Sequence, residues 1–189
     1  MNKINRLIIG GARGGKSHFA QELALKSGKQ VLFVATAEAG DDEMGRRIRE
    51  HQKNRPAGWR TLEAATNIGQ AIREHSGDAG VILVDCVTLL VNNIFSRYTD
   101  PAGEMTDVPM IEKEVASEID ELIKCVSGLE AAFIIVTNEV GMDLVPANEM
   151  GRLYRDLLGR ANQLLAAQAD EVYLMVAGLP VVIKPAARS

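Results

Sequence analysis

The sequence predicts an α/β fold: a mostly parallel sheet with helices on both faces and an antiparallel hairpin at its C-terminal edge. Three observations carry this. Short apolar runs recur along the chain. They are continuous rather than alternating, as in strands buried on both faces. Segments with apolar residues at helical spacing lie between them.

The runs are RLIIG (6–10), VLFVATA (31–37), VILVDC (81–86) and AFIIVTN (132–138). A fifth, VYLMVAG (172–178), turns back through Gly178 into PVVIK (180–184), which predicts the edge hairpin. The segment SHFAQELALKSG after the first run reads as a helix. Met110 to Cys125 does so through Ile111, Val115, Ile119, Leu122 and Ile123. Met150 to Ala169 does so through Leu153, Leu157, Ala161, Leu164 and Leu165, with Pro146 suited to its first turn. Tyr98 to Pro109 reads as a surface loop.

The 189 residues fit one domain, 1–189, with a sizeable core. A net charge of -4 gives no general attraction for nucleic acid or an anionic membrane, so neither is expected as a partner. The two cysteines, Cys86 and Cys125, lack metal-ligand spacing and read as reduced thiols of a cytoplasmic protein. The N-terminal apolar run is too short for a signal peptide, and no apolar run is long enough to span a membrane.

Gly10 to Ser17 (Gly10, Gly11, Ala12, Arg13, Gly14, Gly15, Lys16, Ser17) spells G-x-x-x-x-G-K-S between a strand and a helix. This is the phosphate-binding P-loop of the nucleoside triphosphatases. Its glycines let backbone N–H groups turn toward phosphate oxygens, where a Cβ would obstruct. Lys16 supplies charge to the β- and γ-phosphates, the Ser17 hydroxyl suits Mg²⁺, and the helix start adds its dipole. Arg13 either touches phosphate or points to solvent. Asp85, ending another apolar run, suits the second Mg²⁺ contact; its alternative is a helix N-cap. Cys86 reads as packing. A P-loop by itself names no reaction.

In DDEMGRRIREHQ (41–52), Asp41 and Asp42 suit a helix start, and Met44, Ile48 and His51 share one face. Spacing alone makes His51 structural. Its place after the second strand puts it on the crossover that leaves the sheet's carboxyl edge, where ligands bind. A neutral imidazole there is a competent nucleophile toward phosphorus.

GGARGGKS, VATAEAGDDEMGRRIREHQKNRPAGWRTLE, VDCVTLLVNN and VTNEVGMDLVPANEMGRLYRDLLGRANQLLAAQADEVYLMVAGLP together resemble the bifunctional adenosylcobinamide kinase/adenosylcobinamide-phosphate guanylyltransferases of cobalamin biosynthesis. The resemblance runs from about Leu7 to Lys184. It implies two reactions. A nucleoside triphosphate, ATP or GTP, phosphorylates the aminopropanol hydroxyl of adenosylcobinamide, with Lys16, Ser17, Asp85 and Mg²⁺ serving the phosphoryl group. GTP then guanylylates a histidine, here His51, and the corrinoid phosphate takes the GMP to give adenosylcobinamide-GDP.

The resemblance also places nucleotide contacts at Thr36, Ala37 and Glu38, at Gln52, Lys53, Asn54 and Arg55, and at Glu63. Glu63 would accept from the N1–H and amino group of guanine; the alternative is a plain surface carboxylate. A homo-oligomer, a trimer, is implied. Two positions depart from the pattern: Gly14 stands where the family usually has serine, and AATNIG after Glu63 lacks a proline often found there. NEVG (138–141) contacts ligand or shapes a turn. Arg152, Arg155 and Arg160 meet solvent, phosphate or a neighbouring subunit. The rival readings are a P-loop small-molecule kinase without guanylyltransferase activity and a nucleotide-dependent switch.

Overall fold

A computed structural model describes residues 3–38, 56, 58–142 and 144–186. The helix expected from Asp41, with His51, and the contacts expected at Gln52, Lys53, Asn54 and Arg55 lie outside the described residues.

In chain order the elements are β1 (Arg6–Gly10), α1 (Lys16–Lys26), β2 (Val31–Ala35), β3 (Arg60–Glu63), α2 (Ile68–His75), β4 (Val81–Asp85), α3 (Val87–Arg97), α4 (Val108–Gly128), β5 (Ala132–Val136), α5 (Glu149–Gln168), β6 (Glu171–Val176) and β7 (Leu179–Lys184). The strands form one seven-stranded sheet in the order β3-β2-β4-β5-β1-β6-β7. Every neighbouring pair is parallel except β6 with β7. The fold class expected from the sequence is the one observed.

The continuous apolar runs are explained by burial on both faces. Along β4, Val81 and Leu83 face one core while Ile82 and Val84 face the other. The smaller core is closed by α1, whose Ala20 and Ala24 lie against β1, β4 and β5. The short alanine side chains bring that helix, and the loop that starts it, close to the sheet. The larger core takes Ile68 and Ile72 of α2, Leu90 and Ile94 of α3, Ile119 and Leu122 of α4, and Leu158 and Leu165 of α5.

Several local expectations need correction. The edge strand β3, RTLE, is mostly exposed and carries no apolar run, so periodicity does not reveal it. Pro146 stands outside α5, which begins after Asn148; the Asn148 side chain accepts from Gly151 N–H at 2.7 Å and closes the first turn. Pro109 belongs to the first turn of α4 rather than to the preceding loop, and Asp107 caps that helix by accepting from Met110 N–H at 3.0 Å. The β6–β7 turn uses Ala177 and Gly178, both at positive φ (51° and 82°), the geometry of a tight hairpin. No helix among the described residues is long and apolar enough to cross a membrane.

Candidate active site

Parallel strands bring their carboxyl ends to one edge, and register fixes which residues stand side by side there. Glu63 pairs with Ala35, Ala35 with Asp85, Asp85 with Val136, and Val136 with Ile8. Gly10, two residues beyond Ile8, opens the P-loop at the same edge. The strand carrying Asp85 is separated from β1 only by β5.

The loop is held from both sides. Gly10 pairs with Met175 of β6, and a Cβ on Gly10 would lie 2.6 Å from the Met175 carbonyl oxygen. Gly178 N–H donates to the Gly14 carbonyl at 3.2 Å, so the β6–β7 turn rests on the loop. From the other side, Glu139 N–H donates to the Gly10 carbonyl at 3.1 Å. Within the loop, Gly14 N–H donates to Gly11 O at 3.2 Å, and Gly15 adopts φ 89° as the residue before α1. Gly11, Ala12 and Arg13 form the exposed crown, with Arg13 at φ 58°. Arg13 is therefore accessible to solvent and makes no described ion pair.

Lys16 starts α1 and is only 8% exposed. Its ammonium donates to the Gly11 carbonyl at 2.6 Å. Burial lowers its pKa below the ordinary lysine value, opposed by the nearby Cys86 and Asp85. Lys16 and Asp85 are thus close enough to interact electrostatically. Ser17 follows on the first turn, half-buried. The cap position of α3 is held by Cys86, with Asp85 one residue before it. Cys86 is pushed up to about 11 by burial and by the Asp85 carboxylate, so its thiol stays protonated and inert near neutrality.

Thr36 is fully buried, and Ala37 and Glu38 lead outward from it. The Thr36 hydroxyl donates to the Cys86 carbonyl at 2.7 Å and accepts from the Cys86 N–H at 2.8 Å. Asn93 on α3 donates to the carbonyls of Thr36 (2.7 Å) and Ala65 (2.9 Å). Thr36 thus supports the edge from within; the accessible contacts at this strand end are Ala37 and Glu38. Glu63 is exposed at the end of β3, four strand steps from β1, roughly 19 Å. That span is comparable to an extended nucleoside triphosphate.

Asn138 N–H donates to the Thr88 hydroxyl at 2.7 Å, and the Asn138 carbonyl accepts from Asn162 at 3.0 Å. Asn162 also accepts from the buried Thr137 hydroxyl at 2.8 Å. The NEVG segment is therefore a braced turn beside the P-loop. Thr88, Asn93, Asn162 and Met175 escape sequence reasoning. Each is an ordinary helix or strand residue whose role appears only through contacts with distant chain segments. Arg152 braces the chain before α5: its guanidinium donates to Pro146 O (3.0 Å) and Ala147 O (2.7 Å).

Comparison with known proteins separates the reactions that a P-loop permits. The family model described as cobinamide kinase / cobinamide phosphate guanyltransferase matches residues 6–183. The chain belongs to that family. It is 42% identical over 179 residues to the bifunctional adenosylcobalamin biosynthesis protein CobU of Salmonella typhimurium, covering 94% of this chain and 98% of that one. It is 40% identical over 178 residues to the bifunctional adenosylcobalamin biosynthesis protein CobP of Pseudomonas aeruginosa, covering 94% and 96%. A solved structure from Pyrococcus horikoshii OT3 shares the fold, with a TM-score of 0.54 at 8% identity, covering 98% of this chain and 88% of that chain. As a member of the family, the chain is an enzyme that transfers phosphorus-containing groups in cobalamin biosynthesis, a kinase and a nucleotidyltransferase. The rival switch reading is set aside, because both family activities are chemistry on a metabolite.

Proposed function

We propose that one sheet edge serves both reactions, with the P-loop seating the triphosphate and His51 carrying the guanylyl group. The observation that bears most weight is Lys16. A lysine ammonium 8% exposed, bonded within the loop it must serve, is costly unless phosphate charge meets it there. In the kinase step the aminopropanol hydroxyl oxygen of adenosylcobinamide attacks the γ-phosphorus of ATP or GTP, and the nucleoside diphosphate leaves. Lys16 and the loop amides hold the charge that accumulates on the transferred group.

Mg²⁺ fits the donor set. Ser17 offers a hydroxyl and Asp85 a carboxylate, both hard oxygens, and no cluster of three or more His, Cys, Asp or Glu forms a protein-only cage among the described residues. Mg²⁺ keeps waters and phosphate oxygens and takes one or two protein ligands. When bound, it would neutralise developing phosphate charge.

In the transferase step an imidazole nitrogen of His51 attacks the α-phosphorus of GTP and pyrophosphate leaves. A phosphate oxygen of adenosylcobinamide-phosphate then attacks the same phosphorus and releases His51. Glu38, Ala37, Gln52, Lys53, Asn54, Arg55 and Glu63 complete the nucleotide contacts, with Glu63 reading guanine; the exposed position of Glu63 at this edge supports that role. The chain works as one catalytic domain, 1–189, in the cytoplasm, without nucleic acid. It assembles as a homo-oligomer, a trimer, through β7, whose Leu179, Val181, Val182 and Ile183 are exposed along an unpaired sheet edge.

The test is GTP labelled at the α-phosphate. Wild type should hold label that survives denaturation and is released by acid; His51→Asn should take up none. Label on His51→Asn would reject His51 as the nucleophile. Cobinamide phosphorylation with no α-label on wild type would leave the kinase alone.

A further inference from the structure

The turn after β5 places three large apolar side chains in water beside the P-loop: Met142 (80% exposed), Leu144 (88%) and Val145 (67%). They are not the loose end of a mobile tail. At the start, Glu139 N–H is bonded to Gly10 O and Asn138 is held by Thr88 and Asn162. Gly141 N–H donates to the Glu139 carboxylate at 2.6 Å, and Val140 packs inward against the larger core. At the far end, Arg152 grips the carbonyls of Pro146 and Ala147, and Asn148 closes the first turn of α5. The backbone is anchored on both sides while these side chains face outward.

From this arrangement we propose that Met142, Leu144 and Val145 form the apron on which the corrin ring of the substrate lies during phosphoryl transfer. The inference rests on the kinase reading above and adds the position of the acceptor to it. A corrinoid is broad, rimmed by methyl and amide groups, and too bulky to enter the P-loop with its hydroxyl. Its ring must lie against protein outside the phosphate seat, within reach of the γ-phosphate. The apron is apolar, and the turn that carries it is tied at Glu139 to Gly10, the first glycine of the loop. Among the described residues, a second exposed apolar group, on β7, follows the opposite border of the loop along an edge strand, a shape suited to another strand rather than to a disc.

The test is a double variant, Met142→Ser with Leu144→Ser, in the full chain. Both residues are exposed, so the fold should survive. Kinase assays should show KM for adenosylcobinamide raised at least about tenfold, with KM for the nucleotide and kcat held within about twofold. Equilibrium dialysis should show the same fall in cobinamide retention. Leu25→Ser, an exposed apolar residue on α1 away from this edge, should change neither. Unchanged corrinoid KM and retention in the double variant would overturn the proposal. So would a change in its mass by size-exclusion chromatography, which would assign the apron to a second copy of the chain. Wild type that retains cobinamide but phosphorylates nothing would sink the kinase reading and leave the apron standing on the dialysis result.

Discussion

Thr36 and Cys86 are locked together across the carboxyl edge of the sheet. One hydroxyl donates to the Cys86 carbonyl at 2.7 Å and accepts from the Cys86 N–H at 2.8 Å. One residue earlier, the Asp85 carbonyl accepts from Thr36 N–H at 3.3 Å. The backbone that follows Asp85 is therefore held by a threonine 50 residues away from Cys86 in sequence.

Removing the lock should loosen the edge and lower stability together. Thr36→Val keeps the shape and leaves the Cys86 N–H and carbonyl without their buried partner. Asn93→Ala strips donors from the Thr36 and Ala65 carbonyls. Each should cost about 2 kcal/mol, read as a lower urea midpoint at unchanged slope. A midpoint within error of wild type for both would mean that water replaces these bonds at no cost.

Cys86 should resist thiol reagents until strongly alkaline pH. Its thiol titrates near 11 in the folded protein against an ordinary 9.0, because burial and Asp85 disfavour the thiolate. Alkylation at Cys86, followed by mass spectrometry, should therefore rise most steeply near 11. The sign for stability follows: the unfolded chain loses this proton first, so stability is intact below about 9 and falls as pH rises toward 11. Half-maximal alkylation near pH 9 in the native protein would contradict the described surroundings of the thiol.

Lys16→Met separates chemistry from folding. Kinase kcat should fall about 10²- to 10³-fold, the usual loss when a charge that stabilises a transition state is removed. Thermal stability should hold or rise, because a desolvated ammonium gives way to an apolar chain of similar length. The linkage has the matching sign: burial lowers the folded pKa of Lys16, so its cost is present at neutral pH and is relieved as pH rises through that lowered value. A Lys16→Met protein that melts well below wild type would show that the ammonium holds the loop's shape through Gly11.

The two central glycines of the loop should respond differently. Gly15 sits at φ 89°, and a Cβ there would lie 3.0 Å from the Gly178 Cα. Gly15→Ala should weaken nucleotide binding at least about tenfold, since left-handed backbone costs an L-residue roughly 1–2 kcal/mol even before that contact. Gly14 has an ordinary φ, and its Cβ would lie 3.0 Å from Gly11 O and 3.3 Å from Met175 O. Gly14→Ser, the residue that the family resemblance leads one to expect, needs only a small shift of the turn. Nucleotide titration should find it within about threefold of wild type. Equal losses in both would mean that the Gly14 turn cannot give.

What the sequence determined by itself is local. Gly10 to Ser17 encodes its loop through residues adjacent in the chain, and the runs at 6–10, 31–37, 81–86 and 132–138 declare strands because both faces of each are apolar. The specific elements around Asp41–Glu63 and Asn138–Pro146 point to the family without any coordinates. Only the tertiary structure decided strand order, and with it that β5 separates Asp85 from the P-loop while NEVG bonds to Gly10. It also revealed β3, an exposed edge strand whose RTLE owes its conformation to pairing with β2. The roles of Thr36, Asn93, Asn162 and Met175 belong to the same class. Each is set by a partner far away in sequence, and polar or backbone contacts between distant segments leave no periodicity for a single chain to display.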